Sequence, residues 1–203
     1  LTASLSGDQC DCDLATALVA AAGRPRRGTQ IRLFTPVNVQ SLVASAGIPV
    51  NPPSAWFARP KLDGPTPLRV EKNGRIFGHV ASWGSCHIGF RDRCVGVPKS
   101  SSNYRYFANK QTLTSEGTMI ATGPIVIDTV HPDLRMRASD TQAFYADTGC
   151  AVADVVLYED KHGIVAAGAL RPTATAEQVR KLRGSDVSPD WRQINGKLEC
   201  VGL

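Results

Sequence analysis

The pattern of apolar and polar positions changes at about residue 68. From there on, apolar residues come in short β-rich runs separated by turn signals. Residues 68–71 and 75–82 flank Asn73-Gly74, a pair suited to the two left-handed positions of a type I′ turn, so the pattern predicts a hairpin. Residues 86–90 read as a further short strand. Residues 120–130 are strand-like around Pro124, with His131 closing the run and Pro132 stopping it. Ser139-Asp140-Thr141-Gln142 has the spacing of a capping box and predicts a helix to about Asp147. Residues 151–158 and 164–170, joined by a turn at 159–163, are nearly all apolar and predict a second hairpin buried on both faces. Thr175-Ala176-Glu177-Gln178 is another capping box, opening a helix that Gly184 stops. Residues 191–194, Asn195-Gly196 and 197 onward predict a third hairpin. The sum is an α+β fold, a mainly antiparallel sheet or β-barrel with peripheral helices.

Residues 1–67 read differently. Residues 13–22 suit a short Ala-rich helix, with Asp11 or Asp13 near its start and Gly23 after its end. Pro25, Pro36, Pro49, Pro52, Pro53, Pro60, Pro65 and Pro67 then punctuate the chain, which predicts an extended arm rather than a packed domain. Residues 41–46 make at most a helical turn, and Trp56-Phe57 is an apolar anchor for docking on the body. The expected organisation is a Pro-rich arm over 1–67 and a body over 68–203. Because the chain starts at Leu1 and stops within an apolar run, a processed piece truncated at its C-terminus is expected.

Composition narrows the function classes. With 42% hydrophobic and 20% charged residues, the chain of 203 residues can bury a core, which excludes disordered and collagen-like classes. The longest apolar candidate, 14–22, falls well short of the roughly 18 residues of a membrane span, so a soluble protein without a membrane partner is expected. The net charge of +5 is spread along the chain, apart from the cluster of Arg24, Arg26 and Arg27, and predicts no nucleic-acid partner. The six cysteines are too sparse for a disulfide framework, so reduced thiols are expected, with Cys86–Cys94 the first pair to bond if any does.

Phosphate-loop, nucleophile-elbow and zincin motifs are missing. Cys86, His87 and Cys94 cluster, with Cys10 and Cys12 upstream. Their spacing matches no zinc knuckle, because neighbours on a strand point to opposite faces, so neither metal nor cofactor is expected. Only four histidines exist, and His162 sits in a polar turn. His131 lies at an expected strand end, a place where reactive side chains gather, although a lone histidine there is usually a surface residue. Ser185 and Ser188 follow a helix stop, where serine usually caps. Two-residue hairpin counting places Glu199 opposite Arg192, which reads as a cross-strand ion pair.

Several stretches taken together resemble the head maturation proteases (prohead proteases) of tailed phages, most closely those of phages of actinobacteria. The carrying residues are Trp56-Phe57, residues 62–68, 74–79 and 83–90, then Asp147-Thr148-Gly149 with 151–155, Gly163-Ile164, residues 167–172 and Asp190-Trp191-Arg192. The resemblance covers the chain from about Ser54 onward. It implies a fold like that of the herpesvirus assembly proteases, a closed and mainly antiparallel β-barrel, with a serine nucleophile preceded in sequence by a histidine base. Carried over, His131 is the base and Ser188, 57 residues later, the nucleophile, with Ser185 as the competing serine. The third member is Glu199 or a residue beyond Leu203. The implied activity is a serine endopeptidase that processes major capsid protein and scaffold, oligomeric or capsid-associated, in the host cytoplasm and then inside or on the head. The competing expectation is a minor capsid or cementing protein built on the same fold. A weaker one is a secreted, disulfide-stabilised binding domain.

Overall fold

The computed structural model describes residues 47–86, 94–133, 135–147 and 149–203. The expected helix at 13–22, the turn at 41–46, most of the strand at 86–90, and Cys10 and Cys12 lie outside the described residues. Among those described, the elements are β1 (Arg69–Val70), β2 (Arg75–Ser82), β3 (Lys110–Leu113), β4 (Met119–Val126), α1 (Ala138–Asp147), β5 (Ala151–Glu159), β6 (Gly163–Leu170), α2 (Ala176–Arg183), β7 (Asp190–Ile194) and β8 (Lys197–Gly202), with a 3-10 turn at Ser54–Phe57. A six-stranded antiparallel sheet runs in the order β1-β2-β6-β5-β4-β3, and β7 and β8 form a separate two-stranded hairpin. The fold is α+β and mostly β. The sheet is open: among the described residues no strand joins β1 to β3, so the expected closed barrel is not formed.

The central hairpin is the one the apolar pattern predicts. Every residue of β6 is buried, because the 3-10 turn packs on it while the main core covers its other side. That core joins Ile76 of β2, Ile125 of β4, Val152, Val155 and Leu157 of β5 and Ile164 of β6 to Val179 and Leu182 of α2 and Trp191 of β7. Burying each such side chain contributes roughly 1.5–3 kcal/mol before the entropy of ordering it is subtracted. Thr175 caps α2 reciprocally, its hydroxyl accepting from the Gln178 N–H at 3.1 Å while the Gln178 side-chain oxygen Oε1 accepts from the Thr175 N–H at 3.0 Å. Residues 52–66 of the arm lie on the body. Phe57 is 2% exposed, and its carbonyl accepts from the Tyr158 hydroxyl at 2.6 Å.

Four expectations need correction. The Asn73-Gly74 turn is not type I′: only Gly74 has positive φ (93°), the Glu71 carbonyl accepts from the Gly74 N–H at 3.1 Å, and Asn73 Oδ1 accepts from the Arg75 N–H at 3.1 Å. That is a type I turn followed by a left-handed glycine. The strand expected to reach Val130 ends at Val126. There the Val126 N–H turns to the Leu203 carbonyl (2.9 Å), the Ile127 N–H goes to Cys150 (3.1 Å), and Asp128 adopts φ 61°, which no strand accommodates. His131 therefore sits in a loop, five positions past the strand. The capping box at Ser139 does not form, since α1 starts at Ala138 and the Ser139 hydroxyl turns to Asp140 Oδ1 (3.1 Å). Finally, Cys86 and Cys94 form a disulfide instead of two thiols, with Cα atoms 4.9 Å apart. An isolated bridge pairing Cys86 with Gly96 helps to hold the two cysteine segments together. Cys150 and Cys200 are buried, and Cys200 is a free thiol.

Candidate active site

The strongest polar network is built on the β7–β8 hairpin. Asn195 (φ 51°) and Gly196 (φ 78°) supply the paired left-handed residues of a type I′ turn, which aligns Arg192 with Glu199 and, past an irregularity, Asp190 with Gly202. Asp190 and Arg192 are two apart on β7, so they share a face, and both are 3% exposed. The guanidinium grips the carboxylate with two bonds, Nε to Oδ1 at 2.7 Å and a terminal nitrogen to Oδ2 at 2.8 Å. Its remaining donors reach the carbonyls of Pro132 (2.8 Å) and Asp133 (2.6 Å). Arg192 thus ties the segment just after His131 to β7.

His131 Nδ1 lies 2.9 Å from the Tyr145 hydroxyl and 3.5 Å from Asp190 Oδ2. Tyr145, from α1, donates its own proton to Asp190 Oδ2 at 2.8 Å. With that proton committed, the hydroxyl oxygen accepts Nδ1–H from His131. The imidazole is then the tautomer whose basic nitrogen is Nε2. Burial alone would raise the Asp190 carboxyl, but hydrogen bonds from His131, Arg192 and Tyr145 outweigh it and hold it below the usual carboxylate range. Burial, reinforced by the Asp190 charge, pushes the Tyr145 phenol far up, so it stays protonated. Gly202 makes room for this arrangement: a Cβ there would overlap the Tyr145 ring.

His131 and Ser188, brought from opposite ends of 57 residues of sequence, line the same cavity of about 420 Å³. Its walls are mainly aliphatic. Ser188 is half-buried on the approach to β7, and Ser185 is exposed at the same cavity. Glu199 is elsewhere. Its carboxylate, 2% exposed, accepts from the hydroxyls of Ser100 (3.2 Å), Ser101 and Ser102 (2.8 Å). Burial would raise its carboxyl, but those three hydroxyls hold it below the usual range. The register with Arg192 is as hairpin counting predicts, whereas the ion pair is not, because Arg192 pairs along its own strand with Asp190. The carboxylate that faces His131 is therefore that of Asp190. Sequence reasoning missed both Asp190 and Tyr145; the Asp-x-Arg alternation of β7 was the available signal for the first, and nothing local marked the second.

Among the described residues no helix is long and apolar enough to cross a membrane. No family model, curated protein or solved structure matches the chain.

Proposed function

We propose that this chain is a serine endopeptidase in which His131 is the general base and Ser188 the nucleophile, acting on capsid and scaffold proteins during assembly of a tailed-phage head. The observation that carries the reading is the shared cavity: a histidine whose Nδ1 is anchored by Tyr145 and Asp190 lines it together with a serine. Ser188 Oγ would bond to the peptide carbonyl carbon while its proton passes to His131 Nε2. The C–N bond then breaks as that proton moves to the leaving amine, and water removes the acyl group by the same route. Asp190 and Tyr145 take the orienting role expected of Glu199. Pro189 has no N–H, so oxyanion donors come from other residues. On the fold side, the open sheet and the β7–β8 hairpin correspond to parts of an assembly-protease barrel, a reading supported by the Val126–Leu203 hydrogen bond that links them.

The test is cleavage of a tailed-phage major capsid protein and scaffold protein offered as substrates. The parent protein cuts them, and Ser188→Ala and His131→Ala each abolish cutting, because coupled residues fail together. Loss in Ser185→Ala with full activity in Ser188→Ala moves the nucleophile by three positions. Activity in both serine variants rejects the serine mechanism. A second reading, a structural component kept in the mature particle, is favoured by one observation: the Cys86–Cys94 disulfide suits an oxidising exterior. It predicts stoichiometric retention in particles whatever residue stands at 188.

A further inference from the structure

After α2 the chain crosses to β7 through Ser185, Asp186 and Val187, and these residues form the wall between two cavities. On one side lies the cavity of His131 and Ser188. On the other lies a second one of similar size, about 420 Å³, bordered by Pro67, His79, Ser82 and Arg183. Their chemistry differs. The first is walled mainly by Val126, Ile127, Leu182 and Val187, with Asp186 and the Lys181-paired Asp128 also on its lining, and at its rim Val130 leaves 79% of its surface uncovered, the most exposed of the large apolar side chains described. An uncovered valine beside an apolar hollow is surface that a ligand can remove from water. The second cavity offers hydroxyls and charge. His79 is committed there to Asp160 (3.1 Å) and to the Thr66 N–H (3.0 Å), while Arg183 is exposed, its Nε donating to the Val70 carbonyl at 3.3 Å.

We infer, resting on the peptidase reading, that the two cavities are side-chain subsites of one cleft for an extended peptide. An aliphatic side chain adjacent to the scissile bond fills the Val130 cavity, and a hydrogen-bonding side chain further along enters the Arg183 cavity. The spacing follows from the wall. The wall is one backbone thick, on the order of 5 Å, and same-face side chains of an extended peptide recur roughly every 7 Å, so the two recognised side chains are about two to four residues apart. The substrate class is a peptide with an aliphatic residue at the cut and a polar one at that offset.

The experiment digests a mixed-sequence peptide library with the intact protein and reads the cut sites by mass spectrometry. Cuts are expected beside Leu, Ile, Val or Met, with a polar preference about two to four positions away. Val130→Asp, at an exposed position that folding does not depend on, should lower kcat/KM for aliphatic-site peptides by roughly tenfold, mainly through KM. Arg183→Ala should erase only the distal preference. Cutting with no aliphatic preference, or an unchanged profile in Val130→Asp, overturns the cleft while the peptidase reading stands. If the parent and Ser188→Ala proteins both leave the library intact, the peptidase reading itself fails and takes the cleft with it.

Discussion

Asp190 and Glu199 are two buried carboxylates on one hairpin, one on each strand, and their surroundings separate them. Both are held below the usual carboxylate range against the cost of burial. Asp190 achieves this with a guanidinium, a phenol and an imidazole, and so couples to a group that can move protons. Glu199 does it with three serine hydroxyls, and so ties a surface loop to the hairpin. A lowered carboxyl pKa by itself therefore does not tell the two carboxylates apart; their partners do.

The largest expected effect separating the two comes from Arg192→Met. It leaves Asp190 buried without its cation and releases the carbonyls that follow His131, so it should cost about 3–5 kcal/mol of stability, read by urea denaturation. Cleavage should be lost as well. Next, Asp190→Asn leaves the buried Arg192 guanidinium without its anion, so it should cost about 3 kcal/mol and reduce kcat by about 10²–10³-fold, whereas Glu199→Gln should cost about 1–2 kcal/mol and leave kcat within a few-fold. The reverse ranking would restore Glu199 as the orienting acid. Tyr145→Phe removes the bridge between His131 and Asp190 and should lower kcat by roughly tenfold. Gly202→Ala, which pushes the same ring, should reproduce that loss together with about 1–3 kcal/mol of overpacking.

The smallest effect is in the acid limb of stability. Both folded carboxyls lie below their unfolded values, so the stability they contribute is fully present above about pH 4 and is lost as pH falls through the lower folded values. Denaturation at a series of acid pH values should show a shallower acid loss in Asp190→Asn than in the parent, and likewise in Glu199→Gln. An unchanged slope in either variant would show that the carboxylate concerned is not held low.

What the sequence disclosed and what it hid divide along the same hairpin. Asn195-Gly196 gave the register correctly because turn geometry is local, and so did the capping box at Thr175. The same dipeptide at Asn73-Gly74 took another turn, since Asn73 spends its side chain on the Arg75 N–H. The strand leading to His131 looked continuous because its residues are apolar, yet the Val126 N–H is taken by the Leu203 carbonyl and Asp128 turns left-handed, which only the assembled fold supplies. The polar strand Lys110–Leu113 carried no apolar alternation and went unread. His131 and Ser188 were named from a resemblance in sequence, and they share one cavity. The groups around His131 were not legible, because Tyr145 reaches it from a helix and Arg192 turns towards loop carbonyls some 60 residues distant in sequence.

The pairing of His131 with Ser188 is tested most directly by an active-site-directed phosphonylating reagent, with the modified residue located by mass spectrometry. The account predicts modification of Ser188 in the parent protein and its loss in His131→Ala. Modification at Ser101 or Ser102 beside Glu199, or equal labelling of Ser188 with and without His131, would contradict it.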